Sequence, residues 1–380
     1  MTAPEDSPAL LPAGLHDELP PRAAQEAMVI ARLMAACEGY GYERVKPPLV
    51  EFEDSLLSGP GQSLARQTFR VMDPQSRRMM GVRADMTVQV ARIAATRLAQ
   101  APRPLRLSYA GQVLRVAGTQ LRGERQFTQA GYELIGTADL AGDAEVVRIA
   151  AEALAALGVE HLSVDLTMPA YVPTVCKGLG LDAGAAQAAR DLLDRKDAAG
   201  ITALGGDAAE VLSAILAAAG PARPALERLG DLGLGGEAEQ MRSDLEDLTG
   251  RLESALPDLA LTVDPGEYRG FEYETGVGFT FFARGVRGEL GRGGRYRLQN
   301  GESAVGASVY LDSILRSLPA PVPGRRVFVP AGTDPASSSA LRAEGWFTVA
   351  GMSEGTGDAV EAARLGCTHI FQGGEARPLD

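Results

Sequence analysis

The sequence predicts an α+β protein: an antiparallel sheet flanked by helices, with a helical insertion at about 170–256 and a small C-terminal α/β module. Three observations lead there. Two long strand-like runs, Leu105–Val116 and Arg125–Gly136, flank the polar, glycine-bearing loop Ala117–Glu124 and read as sheet strands. Residues 170–256 are rich in Ala, Leu, Gly and Asp, with helical periodicity and few strand formers. From Arg325 onward short strands alternate with helices, the pattern of a small, parallel α/β unit.

Taken in order, residues 1–20 read as a loose arm ending at Pro20-Pro21. Arg22–Gly39 places Met28, Val29, Leu33, Met34 and Cys37 at helical spacing and is closed by Gly39 and Gly41. After Tyr42–Val50, the short strands Gln67–Asp73 and Arg77–Arg83 are joined by Asp73-Pro74-Gln75-Ser76, a hairpin turn signal. Asp85 opens a helix to about Leu98 and suits its N-cap. An amphipathic helix is expected from about Asp143 to Leu157, then a strand at His161–Leu166. Strand character returns at Leu259–Val263 and is densest over Tyr268–Tyr296, where glycines punctuate aromatic and β-branched residues. A helix is expected over Val305–Leu318 and a linker over Pro319–Pro323. The module that follows alternates strands Arg326–Pro330, Phe347–Ala350 and His369–Gln372 with helices Ser337–Glu344 and Gly357–Gly366. The expected domains are therefore 1–320 and 325–380.

Composition narrows the function classes. The apolar fraction of 45% over 380 residues supports real hydrophobic cores. A net charge of −12 repels phosphate backbones and argues against a nucleic-acid partner. Cys37, Cys176 and Cys367 share no CxxC spacing, and His16, His161 and His369 are isolated. Disulfides, a zinc site and a Ser–His–Asp triad are thus disfavoured, and no metal or cofactor is expected. The N-terminus lacks the build of a signal peptide and no apolar run approaches membrane-spanning length, so a cytoplasmic protein is expected.

Four segments carry candidate chemistry. In Arg83-Ala84-Asp85-Met86-Thr87, a carboxylate and a hydroxyl at a strand-to-helix junction can hold an ammonium group, or Asp85 can simply cap the helix. On the second long strand Arg125, Phe127, Gln129, Gly131 and Glu133 share one face, with Gly131 leaving a gap and Arg115 offering a cation nearby. The alternative for that face is plain solvation. In Tyr268-Arg269-Gly270-Phe271-Glu272-Tyr273-Glu274, a guanidinium with space beside it suits a carboxylate or phosphate. Gly291-Arg292-Gly293-Gly294-Arg295-Tyr296 marks close backbone approach, or a hairpin with surface arginines. No P-loop or dinucleotide fingerprint is present.

In this order the segments resemble the class II catalytic domain of histidyl-tRNA synthetases, over roughly Leu11 to Leu318. Leu11–Asp17 resembles that family's early segment and Pro47–Glu51 its motif 1 strand. Gln126–Glu133 resembles the stretch after motif 2, Arg269–Tyr273 the histidine-specific signature, and Gly293–Tyr296 the glycine-glycine-arginine-tyrosine strand. The resemblance implies that Asp85, Thr87, Arg115, Gln129, Glu133, Arg269 and Tyr273 match positions lining the synthetase pocket.

Departures from the family decide the expected function. Motif 2 of a working synthetase reads arginine-x-glutamate; here Arg115 stands, but the glutamate position is Ala117. The carboxylate before Thr87 is shortened to Asp85, the second tyrosine of the histidine signature is Glu274, and an aspartate position is Arg297. Adenylation needs fixed charge where negative charge develops. The chain is therefore similar to the ATP phosphoribosyltransferase regulatory subunits, synthetase paralogues of histidine biosynthesis. That resemblance implies no catalysis of its own. It implies a short-form catalytic subunit as partner, a hetero-octamer built on a self-dimer, and feedback by histidine. An active histidyl-tRNA synthetase, or a synthetase-like amino-acid binder with another partner, are the competing readings.

Overall fold

The computed structural model describes residues 10–118, 122–267, 274–321, 324–353 and 358–379. The apolar stripe after the arm folds as helix α1 (Arg22–Gly39), burying Val29, Leu33, Met34 and Cys37. Short strands β1 (Glu43–Arg44) and β2 (Val50–Phe52) precede the single turn α2 (Glu53–Leu56). Strands β3 (Arg70–Met72) and β4 (Met79–Val82) pair antiparallel. The Asp73 carboxylate closes their turn, accepting from the Gln75 and Ser76 amides at 3.1 Å each. Helix α3 (Thr87–Ala95) then leads to the long pair β5 (Leu105–Leu114) and β6 (Gln126–Ile135).

Helix α4 (Leu140–Leu157) is capped by Asp139, whose side chain accepts from the Ala141 amide at 2.8 Å, and ends at left-handed Gly158. Strand β7 (Leu162–Thr167) is followed by helices α5 (Tyr171–Gly178), α6 (Ala183–Asp194), α7 (Ala198–Ala203) and α8 (Gly206–Ala218). A two-residue strand β8 (Gly220–Pro221) separates these from α9 (Ala222–Gly230) and α10 (Glu237–Ala255). Strands β9 (Ala260–Asp264), β10 (Glu274–Ala283), β11 (Gly291–Arg297) and β12 (Ser303–Tyr310) and helix α11 (Leu311–Ser317) complete the unit, which ends at Pro319.

Among the described residues the main sheet has the order β1-β5-β6-β12-β11-β10-β7-β9-β8. It is antiparallel except where β1 joins β5 and β7 joins β9. A smaller sheet has the order β2-β4-β3. Strand alternation sends Ala130, Tyr132, Leu134, Val305, Ala307 and Val309 into one core with α1, α4 and the helices of 171–255. Phe127, Tyr109, Ile135, Tyr296, Ala304 and Tyr310 line the opposite face with Met86 and Val90.

One expectation is corrected. The helix expected from Val305 starts only at Leu311; Ser303–Tyr310 is a strand, buried almost throughout, between β11 and β6. Such a strand has no polar side to reveal a period of two, so its apolar run reads equally as helix.

The second unit begins at Ala320. Its elements are β13 (Arg326–Val329), α12 (Pro335–Ala343), β14 (Phe347–Ala350), α13 (Asp358–Arg364), β15 (His369–Gln372) and β16 (Glu375–Pro378). The order is β14-β13-β15-β16, parallel except for β16, an added antiparallel strand. Val327 and Val329 pack with Leu341 and Trp346, whereas Phe328 packs with Ala362, Cys367 and Ile370.

Candidate functional site

Strand β6 and the entry to α3 meet in a buried polar network. The Asp85 carboxylate accepts from the Thr87 amide at 2.8 Å and from Gln129 Nε2 at 3.0 Å. Gln129 Oε1 accepts from the Met86 amide at 2.9 Å, and its Nε2 also donates to Ser308 Oγ at 2.7 Å. The Tyr109 hydroxyl donates to Glu133 Oε1 at 3.0 Å and stands 3.0 Å from both Ser308 Oγ and Thr87 Oγ1. The Tyr296 hydroxyl donates to Glu133 Oε2 at 2.9 Å. Asp85, expected as the N-cap, instead precedes it: the N-cap of α3 is Met86, and Asp85 makes a local turn bond to the Thr87 amide while its second oxygen belongs to the network. The face of β6 carrying Gln129 and Glu133 is buried rather than solvated.

Register explains why glycines line this face. Gly131 lies opposite Tyr109 on one side and Ser308 on the other, and Gly306 lies opposite Glu133. A Cβ on Gly131 would meet the Tyr109 hydroxyl at 2.5 Å, and one on Gly306 would meet Glu133 Oε2 at 1.8 Å. The gap that Gly131 was expected to leave for a ligand is filled by the chain's own tyrosine. The physical cause is close packing: an antiparallel register puts the large side chain over the small one.

Burial pushes the Glu133 carboxyl up to about 8, against the two tyrosine hydrogen bonds, and the nearby Asp85 charge adds to the rise. Burial, helped by the Glu133 and Asp85 charges, also holds the Tyr109 phenol well above its usual range. Glu133 is therefore largely protonated at neutral pH, which suits a site able to exchange hydrogen bonds with a ligand.

Arg115, expected as the fixed cation, is half-buried; its Nε donates to the Ala84 carbonyl at 3.3 Å and its guanidinium lies 5.1 Å from the Phe127 ring centre. Ala117 is exposed in the loop that follows. Further along that loop Arg122 turns inward. Its guanidinium lies 3.9 Å from the Tyr310 ring centre and 4.8 Å from that of Phe127, and its Nε donates to Asp312 at 3.1 Å. A cation stacked on two rings and paired with a carboxylate covers that side of the aromatic pair.

The glycine-rich strand β11 sends Arg295 and Tyr296 to opposite faces of the sheet. Tyr296 joins Glu133; Arg295 points the other way, into a buried ion pair with Asp143 of α4. Arg295 is thus not a surface arginine.

The structure brings Asp85, Thr87, Gln129 and Glu133 together, with Arg115 adjoining through Ala84. Arg269, Gly270 and Tyr273, and the side chain of Glu274, lie outside the described residues. Sequence reasoning missed Tyr109 and Ser308, and gave Tyr296, though inside a candidate segment, no role of its own. The signal that would have found them is a register in which a tyrosine and a serine flank Gly131, which no single strand reveals. Among the described residues no cluster of three His, Cys, Asp or Glu side chains is placed to hold a metal ion, and no helix is long and apolar enough to cross a membrane.

Comparison with known proteins agrees with this architecture. A histidyl-tRNA synthetase family model matches residues 14–314. A protein from Rhodospirillum centenum named ATP phosphoribosyltransferase regulatory subunit is 56% identical over 374 residues, covering 98% of this chain and 97% of the relative. An ATP phosphoribosyltransferase regulatory subunit/histidyl-tRNA synthetase from Bacillus halodurans has the same fold, with a TM-score of 0.83 at 23% identity, over 95% of this chain and 97% of that one. A chain of an ATP phosphoribosyl transferase complex from Thermotoga maritima superposes with a TM-score of 0.61 at 19% identity, over 75% of this chain and 97% of that one. The chain belongs to the ATP phosphoribosyltransferase regulatory subunit family, built on the class II histidyl-tRNA synthetase fold.

Proposed function

We infer that the chain is the non-catalytic regulatory subunit of a short-form ATP phosphoribosyltransferase, the enzyme that condenses ATP with phosphoribosyl pyrophosphate at the first step of histidine biosynthesis. The observation that carries this reading is the near full-length match, at 56% identity, to a relative of that name. The site agrees with it. Ala117 stands where a synthetase has glutamate, and a methyl group accepts no hydrogen bond from a nucleotide. Arg122 covers the aromatic rings beside it. Adding the pure chain to a short-form catalytic subunit is expected to raise that enzyme's turnover. The chain alone is expected to show neither tRNA charging nor histidine-dependent exchange of pyrophosphate into ATP. Robust exchange would overturn the assignment.

The assembly read here is a hetero-octamer built around a self-dimer, working in the cytoplasm, with histidine as effector. Light scattering of the mixed subunits tests the stoichiometry. The effector pocket is read as Asp85, Thr87, Arg115, Gln129, Glu133, Arg269 and Tyr273. The buried Asp85 carboxyl supports it on the side of the ligand's ammonium, where the protonated Glu133 adds polar groups but no charge. Arg269→Ala is expected to weaken histidine by about 1.5–3 kcal/mol, the loss of a charge-assisted hydrogen bond. Unchanged affinity by calorimetry moves the effector elsewhere.

A further inference from the structure

Asp85 and Glu133 are 2% and 1% exposed and belong to one hydrogen-bonded network, joined through Gln129, Ser308 and Tyr109. Among the described residues neither carboxyl is paired with a cation. Two like charges buried in one network are not both sustained, so one group keeps its proton. The donors decide which. Asp85 accepts from the Thr87 amide and from Gln129 Nε2, whose orientation is set by the Met86 amide on Gln129 Oε1. An N–H of this kind cannot turn round and accept. Glu133 accepts only from the hydroxyls of Tyr109 and Tyr296, and a hydroxyl can reverse. The proton therefore belongs to Glu133, in line with a carboxyl raised to about 8.

Hydroxyl polarity carries that state to the edge of the network. Gln129 Nε2 donates to Ser308 Oγ, which leaves the Ser308 hydrogen for Tyr109. The Tyr109 oxygen has three neighbours, Glu133, Ser308 and Thr87, and can donate to only one of them. With Glu133 ionised, Tyr109 donates to it and Thr87 donates to Tyr109. With the Glu133 proton turned toward Tyr109, Tyr109 donates to Thr87 instead, and the Thr87 hydrogen points outward. Thr87 is the partly exposed end of this chain. Among the described residues the other titratable side chains facing Glu133 are Asp85 at the entry to α3, Tyr109 of β5 and Tyr296 of β11.

On the premise that histidine occupies the pocket proposed for it, we propose that its ammonium, bound beside Asp85 and Thr87, expels the proton of Glu133 to solvent. An ammonium needs Thr87 as an acceptor, which turns the Thr87 hydrogen to Tyr109 and the Tyr109 hydrogen to Glu133. Its positive charge also compensates a second buried carboxylate. One O–H bond breaks, that of the Glu133 carboxyl, and the proton passes to the buffer. Effector affinity is thereby tied to pH. Binding releases a proton, so affinity rises with pH and levels off above about 8, where the free site has already lost that proton.

Calorimetric titration of the full chain with L-histidine, at about pH 7.5 in PIPES and in MOPS, counts the protons exchanged, because the two buffers differ in protonation enthalpy. A release of at least about half a proton per histidine is expected, with an affinity that rises by up to about tenfold per pH unit below that point. Glu133→Gln has no acidic proton to lose and is expected to abolish both. A proton exchanged by the imidazole of the ligand appears equally in both proteins, so the difference between them is the readout. Binding with the same proton count and pH slope in both proteins overturns the proposal and leaves the pocket standing. Absence of binding to the wild type overturns the pocket and the proposal with it. Should Glu133→Gln fail to fold, the wild-type count decides alone, and proton uptake or no exchange is then the contrary result.

Discussion

Glu133 and Asp143 are carboxyl groups buried on opposite faces of one sheet, and they are neutralised in opposite ways. Asp143 receives the Arg295 guanidinium, with two contacts from Nε at 3.2 Å, while Arg295 also donates to the Thr137 and Asp139 carbonyls and to Ser303 Oγ. Glu133 meets two tyrosine hydroxyls and takes up a proton instead. An arginine that spends its donors on one carboxylate and two backbone carbonyls ties strand to helix as a permanent strut. A protonated carboxyl among hydroxyls keeps its donors and acceptors exchangeable. The first arrangement ties the scaffold together, and the second leaves polar groups whose hydrogen bonds can rearrange.

The comparison breaks first at Arg295. Arg295→Ala leaves Asp143 buried and unpaired and is expected to destabilise the fold by about 3–5 kcal/mol in urea unfolding. A loss below about 1 kcal/mol would mean that Asp143 is no strut.

The Glu133 half is sharpened by pH. Burial raises this carboxyl from 4.5 to about 8. Between those values the folded chain holds a proton that the unfolded chain has released, so Glu133 lowers stability as pH rises through that window and levels off above it. Glu133→Gln removes this dependence. Relative to the wild type, the variant is expected to gain about 1.4 kcal/mol per pH unit across the window. Parallel stability–pH curves for the two proteins would contradict a protonated Glu133.

Smaller changes probe the packing around it. Gly306→Ala brings a methyl group onto Glu133 Oε2 and to 2.7 Å from the Tyr132 carbonyl, and is expected to cost about 1–3 kcal/mol in thermal unfolding. Ser308→Ala removes the acceptor for Gln129 Nε2. About 1 kcal/mol is expected, because Gln129 keeps its bond to Asp85. A larger loss would show that Ser308 orders the whole network.

Much of the scaffold was legible because local periodicity survives folding. The spacing of Val29, Leu33 and Cys37 located α1, the Asp73 turn located the β3–β4 hairpin, and the strand–helix alternation after Arg325 located the parallel module. Ser303–Tyr310 was misread because it is buried on both faces. At the site, Asp85, Gln129 and Glu133 were visible as polar residues in strand or junction context. Tyr109 and Ser308 were not, since each sits on a different strand and looks like an ordinary sheet residue, and Tyr296 stood in a motif that did not reveal its bond to Glu133.

Motif order alone determined that this chain keeps a synthetase-like scaffold, and Ala117 and Glu274 stand in the sequence where that resemblance implies other residues. Only the tertiary structure decided what the glycines are for and which carboxylates are neutralised by what. Pairing register brings Tyr109, Glu133 and Ser308 to Gly131 and Gly306, and burial sets the proton on Glu133. Both are consequences of contacts between residues far apart in the chain, and a local pattern carries no record of them.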